Sequence, residues 1–226
     1  MSVEPTPSLW LKRLETLATA AATGDAAHDL QHVRRVWATA QSLLAREPAA
    51  DALVVMAACF LHDLVNLPKN APDRAQASTR SAQLARHQLA WLGFPPDKLD
   101  AVAHAIAAHS YSAAIAPASL EARIVQDADR IDALGAVGLA RMFSISGQLG
   151  RALAHPLDPL ARHRPRDDMT YALDHIQEKL AKLPAMMQTE AGRALAEERL
   201  ALMLAFRDAF VDEWGTGSGI WRRLNR

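Results

Sequence analysis

The chain has 226 residues, half of them hydrophobic and 22% charged, so it can bury a core, and sustained disorder is excluded. Alanine makes up roughly a fifth of the chain and aromatic residues 5%, a composition that favours helices over a β-sandwich or barrel. Lysine plus arginine number 25, as do aspartate plus glutamate, so formal charge is zero, which argues against broad nonspecific nucleic-acid binding.

The hydrophobic periodicity predicts helix after helix. Leu9 to Thr23 carries Leu11, Leu14 and Leu17 on one face, and Gly24-Asp25 breaks it. Ala26 to Glu47 places Val33, Val36, Trp37, Ala40, Leu43 and Leu44 together, and Pro48 ends it. Ala50 to Leu64 is apolar nearly all round, which predicts a central buried helix. Its run from Ala52 to Leu61 is about half the length a membrane span needs. Asn66 to Pro72 is a polar loop. Further helices are expected over Arg74 to Leu92, stopped by Gly93, then over Pro96 to Ser110, Leu120 to Leu134 and Ala136 to Ser144.

Gly147 to Asp168 differs in kind. Gly150, Pro156, Pro159 and Pro165 stand among Arg151, Arg162, Arg164 and Arg166, with few apolar residues. This predicts a long mobile surface loop, and one job for it is a lid whose arginines approach an anionic substrate. Helices over Thr170 to Leu183 and Thr189 to Trp214 complete the expected architecture. It is all-α and a single domain over 1–226, with a core at about 25–145, a long loop at 146–169 and C-terminal helices at 170–214. The single cysteine, Cys59, excludes an internal disulfide and a Cys-based zinc site. With no leader visible, a cytoplasmic protein is expected.

No glycine-rich phosphate loop and no nucleophile elbow are present. Histidines and aspartates recur instead at helix-compatible positions. His28 and His32 lie four apart. His62-Asp63 closes the most apolar helix, where such a pair is costly unless something compensates it, as a metal ion would. His104 and His109 lie five apart in an alanine-lined helix. Asp127, Asp129 and Asp132 fall within six residues around Arg130, placed so that one of Asp127 and Asp129 is expected to point inward. Each has a plainer reading: core histidines with hydrogen-bond partners, and aspartates in ion pairs with Arg123 or Arg130.

The combination is more specific than its parts. A histidine, a His-Asp pair about thirty residues on, and an aspartate about sixty-five further, all on helices, resembles the HD-domain metal-dependent phosphohydrolase superfamily. The stretches around His28 to Val36, Leu61 to Leu64 and Ala128 to Gly135 match its motifs. Lys69 to Arg74, His104 to Ser110 and the helix from Ala196 toward Trp214 are similar to one bacterial branch of small stand-alone HD hydrolases. The resemblance implies an HD-domain helical bundle with a C-terminal extension. It also implies hydrolysis of nucleotide phosphoanhydrides, including nucleoside triphosphate pyrophosphohydrolysis.

On that resemblance His32, His62, Asp63 and Asp129 are the expected metal ligands. Two imidazoles and two carboxylates suit an octahedral divalent ion such as Mn²⁺, with Ni²⁺, Co²⁺, Fe²⁺ or Mg²⁺ as alternatives. Lys69 and Arg74, in the loop after the pair, and Arg130, beside Asp129, are expected to meet phosphate charge. Some HD enzymes carry a glutamate shortly after the His-Asp pair, where this chain has Leu64, Val65 and Asn66. The general base is therefore open, with Asp132 one candidate beside Asp63 and Arg130 in the catalytic group. His28, His104 and His109 are expected to touch substrate phosphate, a second metal being the alternative for the last two. The expected partner is a small nucleotide, with neither nucleic acid nor membrane, bound by a monomer or homodimer. A phosphodiesterase and a non-catalytic helical binding module are the competing classes.

Overall fold

In the computed structural model, which describes residues 6–21, 30–67 and 73–214, the all-α expectation holds. The described residues contain no strand, only an isolated bridge between Ala152 and Tyr171. None of their helices is long and apolar enough to cross a membrane. The chain forms two compact units.

The first unit comprises Met1–Arg130 with Met187–Gly192. Its centre is α3 (Ala52–Leu61), buried from Val54 through Leu61 as its all-round apolarity requires. Asp51 starts this helix: its carboxylate accepts the N–H groups of Leu53 and Val54 at 2.9 and 3.2 Å and pairs with Lys98. Around α3 pack α1 (Pro7–Ala21), α2 (Leu30–Leu44), α4 (Ala77–Trp91) and α5 (Leu99–His109). Trp10 of α1 meets Phe94 edge-on at 4.9 Å. Gly93, at φ +75°, ends α4 in the left-handed region, letting the Phe94 N–H reach back to the Leu89 carbonyl. The last helix of this unit, α6 (Leu120–Ile131), runs up to the unit's boundary.

The second unit comprises Ile131–Met186 with Arg193–Arg226. It holds α7 (Gly135–Gln148), the short α8 (Asp174–Glu178) and most of α9 (Glu190–Trp214). Phe143 of α7 lies 5.7 Å from Phe206, and Phe210 stacks on Trp214 at 5.1 Å, an aromatic row at four-residue spacing along α9.

Two sequence expectations change here. The helix expected over Thr170 to Leu183 is broken, because its first residues bond across the chain instead of along it. Ala152 N–H donates to Thr170 O, and the N–H groups of Ala172 and Leu173 donate to the carbonyls of Ala152 and Leu153, at 2.9–3.0 Å. Only α8 and two 3₁₀ turns, Leu180–Lys182 and Pro184–Met186, remain helical. The connection expected to be mobile is pinned by its own polar groups. Arg164 forks onto the buried Asp174 at 2.6 and 2.8 Å and covers the Tyr171 ring at 4.7 Å. Asp158 accepts the N–H groups of Arg162 and His163, and Asp168 pairs with His175 and Lys179.

Candidate metal centre

Four helix ends deliver the site. His32 sits in the first turn of α2, His62 caps the C-terminus of α3 with Asp63 next to it, His109 ends α5, and Asp129 lies in the last turn of α6. The carbonyl ends of α3, α5 and α6 carry partial negative charge, so their convergence favours a cation.

The imidazoles are preset. Nδ1 of His62 donates to the Cys59 carbonyl at 2.8 Å, and Nδ1 of His109 donates to the Ile106 carbonyl at 2.6 Å. A carbonyl only accepts, so in each neutral ring the proton is on Nδ1 and the lone pair is on Nε2. Those lone pairs face other acceptors. His62 Nε2 lies 3.3 Å from His32 Nε2, 3.4 Å from Asp63 Oδ2 and 3.7 Å from Asp129 Oδ1. His32 Nε2 lies 3.4 Å from Asp129 Oδ1 and 3.8 Å from Asp63 Oδ2. His109 Nε2 stands 3.7 Å from Asp63 Oδ1.

Donor atoms bound to one divalent ion at about 2.1 Å are separated by roughly 3–3.5 Å, so this set fits a single ion. His62 and His32 are buried, while the carboxylates keep about a quarter of their side-chain surface open, which leaves access from solvent. Electrostatics says the same. Burial alone would drive the His62 pKa down, but Asp63 and Asp129 push it up to about 9, so metal-free protein holds a proton where the ion belongs. Burial raises the Asp129 carboxyl, yet the hydrogen bond from His32 and the charges of His62 and His109 bring it to about 2.

His62 is shared between the His32–Asp129 grouping and the Asp63–His109 grouping. With Nδ1 committed to Cys59, it has one lone pair and serves one ion. His109 therefore stands beside the His32–His62–Asp63–Asp129 set, its Nε2 facing Asp63 Oδ1 at 3.7 Å.

His28 and Lys69 lie outside the described residues. Arg74 sits on the 3₁₀ turn Arg74–Gln76 and donates to the Leu67 carbonyl at 2.6 Å. Arg130 is half-buried within reach of Asp127 and Asp129. Nε2 of His104 accepts the Ala118 N–H at 3.0 Å, a contact that shapes the loop after α5. Asp132 is buried against Arg141 of α7.

Sequence reasoning expected one of Asp127 and Asp129 to point inward, but both are engaged. Asp127 is fully buried and accepts the Gln188 N–H, the Thr189 N–H and the Thr189 hydroxyl, each at 2.8 Å. It ties the metal-bearing helix to the start of α9. A Cβ on Gly192 would collide with the Asp127 carboxylate and come within 2.8 Å of Thr189 Oγ1. The Thr189-x-x-Gly192 spacing was the only trace of this anchor in the sequence.

An all-helical unit with His, His-Asp and Asp on converging helix ends defines the HD class, and the HD domain model matches residues 29–134. The chain belongs to the HD-domain family. It is 36% identical over 183 residues to the uncharacterized protein YpgQ of Bacillus subtilis (strain 168), covering 79% of this chain and 80% of YpgQ. The crystal structure of Bacillus subtilis YpgQ in complex with ADP superposes with a TM-score of 0.68 at 33% identity, covering 90% of this chain and 94% of that one. An HD-superfamily hydrolase from Bacillus thuringiensis matches with a TM-score of 0.72 at 32% identity, over 93% and 99% of the two chains.

Proposed function

We propose that this protein is a divalent-metal-dependent phosphohydrolase that cleaves nucleotide phosphoanhydrides, with nucleoside triphosphates as substrates and Mn²⁺ as the working ion, in the cytoplasm. The observation that carries the reading is the convergence of His32, His62, Asp63 and Asp129, with imidazole Nε2 atoms 3.4 Å from carboxylate oxygens. The ADP complex of YpgQ supports a nucleotide over other phosphate esters. A divalent ion in this shell supplies Lewis acidity to a phosphate oxygen and acidifies water for attack on phosphorus.

The chain's own residues do the rest. Asp63, with Oδ2 near His62 and Oδ1 near His109, would help hold the ion, and His109 would order the neighbouring phosphate or water. Arg130 and Arg74, with Lys69 and His28, offset the charge of the polyphosphate. His104 holds the loop after α5 through the Ala118 N–H. Asp132 enters as a brace for Arg141, which leaves proton handling at the attacking water to Asp63.

A centre that holds one ion would favour phosphoanhydride hydrolysis over the two-ion phosphodiesterase reading. The test is to load purified protein with Mn²⁺ and offer nucleoside tri-, di- and cyclic phosphates, following pyrophosphate and orthophosphate separately. Turnover of triphosphates with no turnover of cyclic nucleotides is expected. Turnover of cyclic nucleotides alone contradicts the reading.

A further inference from the structure

Two residues beyond His109 stands Tyr111, 77% exposed. Exposed aromatic rings are ordinary when scattered, and Trp91 is more exposed still. Tyr111 differs in how it is held and in what it stands beside. It opens the 3₁₀ turn Tyr111–Ala113, which is closed by the Ala114 N–H on the Tyr111 carbonyl. Ala114 takes φ +53°, a left-handed conformation that residues with a Cβ rarely adopt. The Ser110 and Ser112 hydroxyls, on either side of Tyr111 in the chain, bond each other at 3.0 Å. This turn packs on the turn that carries Arg74, and the Tyr111 phenol is within electrostatic reach of Arg130. A hydrogen-bonded turn thus presents an aromatic face to solvent, near two arginine-bearing elements and two residues along the chain from His109 of the cluster.

Resting on the phosphohydrolase reading above, we infer that Tyr111 is the platform on which the substrate's base stacks while its phosphates reach the His/Asp cluster. A nucleotide bound by its phosphates at the cluster projects its base one ribose away, and two residues of chain span about 7 Å at most. Every base has a π-face, so stacking on a tyrosine selects for a nucleoside without selecting which one. This surface predicts a preference for nucleotides over inorganic polyphosphates and a broad tolerance of bases.

The test measures binding of ADP and of inorganic pyrophosphate to Mn²⁺-loaded protein by calorimetry, in the parent, Tyr111→Ala and Tyr111→Phe. Tyr111→Ala is expected to weaken ADP about tenfold and leave pyrophosphate within about twofold, while Tyr111→Phe keeps both. Equal weakening of both probes by Tyr111→Ala, or no change in either, overturns the stacking role. A parent that binds neither probe overturns this inference together with the nucleotide reading. A parent that binds ADP through Tyr111 but hydrolyses no nucleotide overturns the catalytic reading alone.

Discussion

The first unit's His/Asp cluster and the second unit's Arg164–Asp174 network are both buried polar assemblies, and they are built on opposite principles. In the network every acceptor meets a donor. Asp174 takes two guanidinium N–H groups and the Asp167 N–H, Asp158 takes two backbone N–H groups, and Asp168 takes His175 and Lys179. In the cluster, the Nε2 atoms of His32, His62 and His109 and the carboxylates of Asp63 and Asp129 converge on one another, so the charge they gather is met by a proton on His62 or by a cation. A network whose donors and acceptors are spread through its own loops stabilises a fold, whereas imidazoles and carboxylates converging on one point make a site for a cation. Burial and charge are common to both, so the direction of the hydrogen bonds is what separates scaffold from site.

The largest effect that can break this comparison is loss of a cluster ligand. His62→Ala and Asp63→Ala are expected to lower metal affinity and phosphohydrolase activity by more than about a hundredfold, since even residues behind a ligand cost 10–100-fold. Metal analysis of the purified variants together with turnover assays checks it.

In the network the same kind of deletion acts on stability alone. Asp174→Asn leaves Arg164 without its full partner in a buried setting and is expected to cost about 3 kcal/mol. Thermal melts with and without Mn²⁺ sharpen the contrast. Asp174→Asn starts lower but keeps the parental stabilisation by metal, about 2.7 kcal/mol at a hundredfold excess over Kd, whereas Asp63→Ala loses that response.

Gly192→Ala probes the anchor behind the site. Forcing a methyl against Asp127 is expected to cost about 1–3 kcal/mol and to be read in chemical denaturation.

The subtlest contrast is in pH. The His62 pKa is raised to about 9 by Asp63 and Asp129, so below that value metal must displace a proton. Metal affinity is therefore expected to rise with pH up to about 9, with proton release visible as calorimetric heats that depend on the buffer. The network runs the other way. Burial works against ionisation, but backbone N–H groups at Asp158, and Lys179 and His175 at Asp168, hold these carboxyls below their ordinary range. The stability they contribute is fully present above about pH 4, near the ordinary aspartate pKa, and is lost as pH falls through the lowered values, as acid titration followed by circular dichroism will show.

How much of this was legible in the sequence follows the same division. Helices with one apolar face, such as α2, announced themselves by periodicity, α3 announced itself by its all-round apolarity, and the spacing of His32, His62-Asp63 and Asp129 announced the centre. The network did not, because Arg164 and Asp174 sit ten residues apart in a proline-rich stretch whose charges read as solvated. The backbone pairing of Ala152 with Tyr171 overrode the helical pattern of 170–183, since a local period carries no trace of a partner twenty residues away. His109 was visible as a candidate, but its preset tautomer depends on the Ile106 carbonyl, a backbone feature that no side-chain pattern encodes.

The central claim is that converging acceptors at His32, His62, Asp63 and Asp129 hold one cation. Titrating Mn²⁺ into chelator-treated protein by calorimetry tests it most directly, with Asp63→Ala as the paired variant. One ion per parent chain, and none retained at the same concentrations by the variant, is the predicted result. Two equivalent ions in the parent, or undiminished binding in Asp63→Ala, would contradict it.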